Sequence, residues 1–171
     1  MLQFRQIIIN REENQFKNIE YIPQIMFLYR RFERFLKDDF AIQEDTFLEY
    51  FLNLVEELSP YFWVIFSDDE VAGFVYLENF TGDCNCLHGA EITTCFDKKF
   101  WGSFTYYTAL TFFDYCFKTL GLKKIKAMIY PENFRVINLL KRCGFVKEGI
   151  LKSETIRDGR PQDIEVYSLF K

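Results

Sequence analysis

Apolar positions along this chain change period several times, and each change marks an element. Leu2 to Ile9 is rich in β-branched residues and predicts an opening strand, followed by a polar connection from Arg11 to Lys17. From Ile22 to Leu36 the apolar residues Ile22, Ile25, Met26, Tyr29, Phe32, Phe35 and Leu36 recur at helical spacing. Arg30, Arg31, Glu33 and Arg34 supply the solvated face of that helix. Thr46 followed by Glu49 has the form of a capping box, and it opens a second helix with the stripe Phe47, Phe51, Leu54, Val55 and Leu58. Ser59-Pro60 ends it, because proline cannot continue a helix.

The remainder alternates strand and helix. Tyr61–Phe66 and Val71–Phe80 read as strands joined through the turn Ser67–Glu70, and a third follows the loop Thr81–Asn85, from about Cys86 to Phe96. A long helix from Ser103 to Leu120 is broken by Gly121, and Lys124–Ile129 forms the next strand. A short helix from Asn133 to Cys143 stops at Gly144. Phe145–Thr155, the turn Arg157-Asp158-Gly159-Arg160 and a last strand Ile164–Phe170 complete the order. Such an order is α+β, with a mixed, mostly antiparallel sheet of seven strands flanked by about four helices. The helix at 103–120 must join parallel neighbours, since a strand–helix–strand crossover returns the chain in the same direction. Two helix N-termini, at Ser103 and Asn133, therefore follow adjacent strands. Helix N-termini carry a partial positive charge that suits a phosphate or a polarised carbonyl, although both segments also read as ordinary βα turns.

Composition narrows the classes. With 171 residues, 49% hydrophobic and 27% charged, the chain predicts one globular domain over 1–171. Aromatics reach 19%, with 21 Phe and 10 Tyr, which leaves open a coding bias, an aromatic-lined pocket or a self-association face such as that of a homodimer. The net charge of −4 disfavours nucleic acid, which needs a basic face. Arg5, Arg11, Glu12 and Glu13 interrupt any signal-like run, and no segment is apolar for long enough to span a membrane. Five cysteines without small-scaffold spacing favour a reduced, cytoplasmic protein. Cys84, Cys86 and His88 alternate, but one short strand does not supply four tetrahedral ligands, so no metal is expected.

Three segments carry a family resemblance. They are Ala90-Glu91-Ile92 ahead of Trp101-Gly102 and the long helix; Asn133 leading into Leu139-Leu140-Lys141-Arg142-Cys143-Gly144-Phe145; and Glu148-Gly149-Ile150-Leu151 with Gly159, Asp163 and Tyr167. In order and spacing they resemble the GNAT superfamily of N-acetyltransferases, most closely the branch of ribosomal-protein N-terminal and spermidine acetyltransferases. The resemblance implies acetyl-CoA as cosubstrate. It also implies transfer of an acetyl group to a primary amine: a protein N-terminus, a polyamine or another small amine. The family's diphosphate turn maps onto Lys99, Phe100, Trp101, Gly102, Ser103 and Phe104, with Lys99 as the cation and Gly102 as the flexible position. Ser103 and Thr105 offer hydroxyl donors, and Ser103 a helix cap.

The resemblance gives Asn133 a contact to the cofactor's pantetheine or diphosphate arm, a position that a plain N-cap also explains. Backbone N–H groups around Cys95 and Phe96 are placed to polarise the thioester carbonyl, where strands 86–96 and 124–129 splay. Glu91 is the candidate general base, and an exposed strand glutamate is its bland alternative. Three residues depart from the family pattern. Phe104 stands where the family has a small residue, Tyr106 where relatives often have glycine, and Leu140 where many have a proton-donating tyrosine. Tyr130 and Tyr167 are substitute donors or packing residues. These departures motivate a rival reading, a catalytically silent GNAT-fold binding protein with an altered diphosphate site.

Overall fold

The computed structural model describes residues 1–37, 46–83 and 85–171. Its elements are β1 (Leu2–Asn10), β2 (Gln15–Lys17), α1 (Ile22–Phe32), α2 (Phe47–Glu57), β3 (Phe62–Ser67), β4 (Glu70–Gly82), β5 (Leu87–Phe96), α3 (Ser103–Lys118), β6 (Lys124–Ile129), α4 (Phe134–Arg142), β7 (Val146–Arg157) and β8 (Arg160–Phe170). The strands are hydrogen-bonded in the order β2-β1-β3-β4-β5-β6-β8-β7. The sheet is mixed, as expected: β5 and β6 run parallel, whereas β1–β2, β1–β3, β3–β4, β6–β8 and β7–β8 are antiparallel.

The strand count corrects the expected seven to eight. Gln15–Lys17 lies in the segment read as a polar connection, but it pairs with Ile8–Asn10 of β1. Asn14, at φ 50, takes the left-handed turn that makes this return possible. All three β2 residues are exposed, so no apolar alternation advertises the strand.

Contacts divide the chain into two compact units, Met1–Glu78 with Thr93–Trp101, and Asn79–Ile92 with Gly102–Lys171. In the first unit, α1 ends at Phe32, short of the expected Leu36, and buries Ile22, Ile25, Leu28 and Tyr29; α2 buries Phe51 and Val55 of its expected stripe and half-buries Phe47 and Leu54. Thr46 is the N-cap of α2, with its Oγ1 accepting from the Glu49 amide at 3.2 Å; the Glu49 carboxylate accepts from the Thr46 hydroxyl at 2.9 Å, where the full capping box would have it accept from the Thr46 backbone amide. The core is aromatic. Tyr29 meets Phe51 edge-on at 5.4 Å, and Phe62 stacks on Phe74 at 5.5 Å and on Tyr76 at 5.4 Å. Much of the aromatic excess is therefore interior packing. The Tyr29 hydroxyl lies 2.9 Å from that of Tyr50, and burial pushes the Tyr29 phenol well above its ordinary range.

In the second unit, β6 pairs with β8 from Lys124–Phe170 to Ile129–Glu165. The β7–β8 ladder continues to Arg157–Arg160, closing on a two-residue turn. Asp158 at φ 53 and Gly159 at φ 67 give both central residues the positive φ that a tight hairpin needs. The two strands are thus longer than their apolar patterns indicate. Gly144, at φ 91, ends α4, and the amides of Gly144 and Phe145 bond back to Lys141 and Leu140 at 3.1 and 3.0 Å. That arrangement is a Schellman motif, and Phe145 then meets Phe113 of α3 at 5.2 Å.

Gly73 marks the tightest approach in the first unit. A Cβ there would lie 2.2 Å from the Cys95 carbonyl oxygen and 3.0 Å from the Phe96 Cα. Gly73→Ala is expected to destabilise the protein by about 3 kcal/mol, because the obstacle is backbone and not a flexible side chain. Urea denaturation monitored by circular dichroism checks this.

Candidate active site

The first unit supplies the end of β5 and the turn that follows. Cys95 and Phe96 are both buried. The Asp97 amide donates to Ala72 O at 2.9 Å, and its Oδ1 accepts from the Lys99 amide at 3.1 Å, capping a single 3-10 turn over Lys98–Phe100. Arg31 of α1 reaches the other Asp97 oxygen at 3.3 Å. The indole of Trp101 donates to Phe96 O at 3.0 Å and its ring lies 6.0 Å from Phe32. Burial raises the Cys95 thiol to about 12, so this cysteine is a neutral packing group, and any role in chemistry falls to its backbone. Lys99, the expected diphosphate cation, is ion-paired with Glu70. A cavity of about 520 Å³ lies beside it, walled by Tyr21, Phe27, Asp69, Glu70, Asp97 and Lys99.

The second unit opens with Gly102, at φ 107 and ψ −126, immediately ahead of α3. Such backbone is strained for any residue with a side chain. Trp101 is extended, at φ −67 and ψ 147, so the reversal is concentrated in this one glycine. A Cβ built on Gly102 would meet nothing within 4 Å. No heavy atom of Phe104 or Tyr106 therefore lies within 4 Å of that point. Phe104 is half-buried, and the Tyr106 ring lies under the Arg142 guanidinium at 4.6 Å. Gly102, not Ser103, is the N-cap of α3, and no side chain caps the helix. Ser103 is the first helical residue and is exposed, whereas Thr105 is buried. The intrahelical ladder begins with the Tyr106 amide donating to Gly102 O at 3.1 Å.

Asn133 occupies the N-cap position of α4 but makes no side-chain capping bond. The plain-cap explanation of this residue thus lacks its hydrogen bond. The Asn133 amide donates to Tyr130 O at 2.9 Å, which closes the short β6–α4 loop.

Glu91 lies in β5 opposite Lys126 of β6, and its carboxylate is 2.5 Å from the Lys126 ammonium. The β5–β6 ladder runs from Gly89–Lys124 to Glu91–Lys126 and no further. Sequence reasoning missed Lys126 as the partner of Glu91, because only the parallel register brings the two together. Leu140 is buried and offers no proton. Tyr130 is buried beneath the Arg157 guanidinium, 4.1 Å from the ring centre. Tyr167 is buried too, and its hydroxyl donates to Glu165 at 2.8 Å; burial, reinforced by that carboxylate, raises the phenol to about 12. Both tyrosines read as packing residues. The Cys84 position of the alternating Cys/His stretch lies outside the described residues, and among the described residues no three His, Cys, Asp or Glu side chains form a metal-binding group.

With this geometry in hand, the relatives can be placed. The chain belongs to the GNAT acetyltransferase family: the family model for the acetyltransferase (GNAT) domain matches residues 22–146. An uncharacterised N-acetyltransferase of Bacillus subtilis, YoaA, is 40% identical over 58 residues, which is 34% of this chain and 33% of that protein. Spermidine N(1)-acetyltransferase of Vibrio cholerae is 42% identical over 52 residues, 30% of each protein. The chain spans less than half the length of the curated relatives it matches. Among solved structures, the spermidine N-acetyltransferase from Vibrio cholerae in complex with CoA and spermine aligns with a TM-score of 0.74 and 22% identity, covering 99% of this chain and 95% of that one. The ribosomal-protein-S5-alanine acetyltransferase from Vibrio fischeri gives 0.73 and 20%, covering 99% and 92%. The fold is the GNAT fold, and these structural likenesses speak for the fold alone.

One titration follows from the hydrogen bonds around Tyr167. Lys147, at 2.6 Å, holds the Glu165 carboxyl below the usual range, and the Tyr167 hydroxyl adds to that against the opposing effect of burial. A carboxyl whose pKa is depressed by folding contributes stability above its unfolded value, near ~4.3, and loses it as pH falls through the folded value. Glu165→Gln is therefore expected to lower stability at pH 7 and leave it unchanged at pH 2. Urea midpoints at the two pH values measure this.

Proposed function

We propose that this chain is an acetyl-CoA-dependent N-acetyltransferase acting on a primary amine, and that its residues work as one catalytic domain in the reducing cytoplasm. The observation that carries the reading is Gly102. In a chain of the GNAT family, it combines an exposed position, a left-handed backbone and open space at the start of a 16-residue helix. A diphosphate held there takes hydrogen bonds from backbone amides and the favourable end of the helix dipole. The backbone at Gly102, Ser103, Phe104 and Thr105, with Trp101 ahead of it, would form the cradle. Lys99 would add charge by exchanging Glu70 for a phosphate oxygen. Asn133 would hold the pantetheine or diphosphate arm, and the main chain at Cys95 and Phe96 would stabilise the carbonyl oxygen as it gains charge. The cysteines described all carry free thiols, which suits a reducing compartment.

The amine must arrive as an ammonium and lose a proton before its lone pair can attack. Glu91 is the proposed acceptor: an incoming ammonium replaces Lys126 as its partner, and the carboxylate takes the proton directly or through one water. The neutral nitrogen then adds to the thioester carbonyl carbon. The C–N bond forms, the C–S bond breaks, and the CoA thiolate leaves and takes up the proton that the nitrogen sheds on becoming a neutral amide. Holding amine and thioester together accounts for much of the expected acceleration. The matched spermidine acetyltransferases make polyamines and small amines the first acceptors to assay, with protein N-termini next.

A second reading, a GNAT-fold protein that binds acetyl-CoA without turnover, is favoured by two observations. Leu140 is buried and apolar, and Glu91 is already paired with Lys126. Thiol release measured with a panel of amines separates the two, since binding without thiol release across the panel supports the silent protein.

Gly102→Val is expected to raise the acetyl-CoA Kd at least about tenfold, because a side chain strains this backbone and enters the space the phosphates need. Isothermal calorimetry measures it, and an unchanged Kd removes Gly102 from the site. Glu91→Gln is expected to lower kcat about a hundredfold with less than about a twofold change in acetyl-CoA affinity. An unchanged rate across pH excludes Glu91 as the base.

A further inference from the structure

Arg157 is the last residue of β7 and stands one step before the tight Asp158-Gly159 turn. Arginine at a hairpin end is ordinarily solvated, yet this one is 8% exposed. Its guanidinium lies 4.1 Å from the Tyr130 ring centre. It also donates to the Glu132 carboxylate and, at 3.3 Å, to Gln162 of β8. Tyr130 and Glu132 belong to the four-residue loop Tyr130-Pro131-Glu132-Asn133 that leads from β6 into α4. The guanidinium thus stacks on the first of these residues and pairs with the third, and the fourth, Asn133, makes no side-chain capping bond. A planar fork that stacks and pairs at once holds a loop in one conformation, which a lysine at the same place cannot do.

We infer that Arg157 is a positioning residue for cofactor binding: from the end of the β7–β8 hairpin it clamps the β6–α4 loop and so aims Asn133 at the acyl-CoA arm. This rests on the acetyl-CoA reading above and adds to it a residue that touches neither cofactor nor reacting atoms. The hairpin register makes the placement rigid. Arg157 pairs with Arg160 across a turn whose two positive φ values admit no slip by one residue.

The test is a double-mutant cycle on acetyl-CoA affinity in the full chain, read by calorimetry, with Arg157→Met, Asn133→Ala and the double variant. Each single change is expected to raise Kd about tenfold, and the double variant no more than about twofold beyond either, since one residue acts through the other. Steady-state rates should show KM for acetyl-CoA rising while kcat at saturation changes less than about twofold, with partial recovery in Arg157→Lys. Glu132→Gln unpairs the clamp from its half-exposed side, and should weaken binding in the same way if Arg157→Met fails to fold. Amide exchange reads the loop without any cofactor: the Asn133 N–H, bonded to Tyr130 O, should exchange at least about tenfold faster in Arg157→Met or Glu132→Gln. Additive losses of affinity, or unchanged exchange at Asn133, overturn the clamp and leave the transferase reading standing. Wild-type protein that binds no acetyl-CoA overturns both.

Discussion

The backbone of one residue governs the proposed chemistry. At Gly102 the chain passes from the extended Trp101 into α3 through φ 107, a conformation that residues with a Cβ rarely adopt. Because the reversal is completed in a single residue, the helix begins at once, and a Cβ built on Gly102 would meet nothing within 4 Å. Phe104 and Tyr106 look obstructive on paper. The Tyr106 ring lies beneath the Arg142 guanidinium, and no heavy atom of either aromatic lies within 4 Å of a Cβ built on Gly102.

Around that point, charge pairs do much of the positioning. Asp97 is bound by Arg31 and caps its own 3-10 turn; Glu91 is held by Lys126; Glu165 by Lys147 and Tyr167; Glu132 by Arg157. Most of these pairs are partly exposed, and such pairs add little to global stability. Their importance here lies in which ones a ligand would exchange. Lys99 and Glu91 are the two proposed to trade an internal partner for a substrate group, whereas the buried Arg157 is proposed to keep its partners throughout. The aromatic interior around Tyr29, Phe51, Phe62 and Phe74 is where apolar burial contributes most.

Local signals in the chain read true where the physics is local. Thr46 caps α2 through the Glu49 amide three residues on, as their spacing announces, and Asp158-Gly159 forms the tight turn. Gly144 ends α4 in left-handed backbone, as glycine at such places commonly does, whereas α3 stops at Lys118, ahead of the expected break at Gly121. What escaped notice is set by pairing between distant segments. Gln15–Lys17 has no apolar alternation and becomes a strand because β1 presents an edge. Lys126 meets Glu91 through parallel register, and Arg157 reaches Glu132 across 25 residues of sequence. Ser103 was a reasonable cap by type, yet the cap position fell one residue earlier because only glycine tolerates its dihedrals. The family itself was legible from Ala90–Ile92, Trp101-Gly102, Asn133 and the Leu139–Phe145 run, which lie largely within the matched residues 22–146.

The claim on which everything else turns is that main-chain amides at the start of α3 hold the paired phosphates of acetyl-CoA. Backbone amide chemical shifts, followed by nitrogen-15 NMR during titration with CoA, report on those groups directly. The account predicts saturable shifts concentrated at Gly102 to Tyr106 and at Asn133, with the same midpoint at each. Signals at Gly102 to Tyr106 that stay in place while CoA reaches millimolar excess, or that move only together with a uniform drift of surface residues, contradict it.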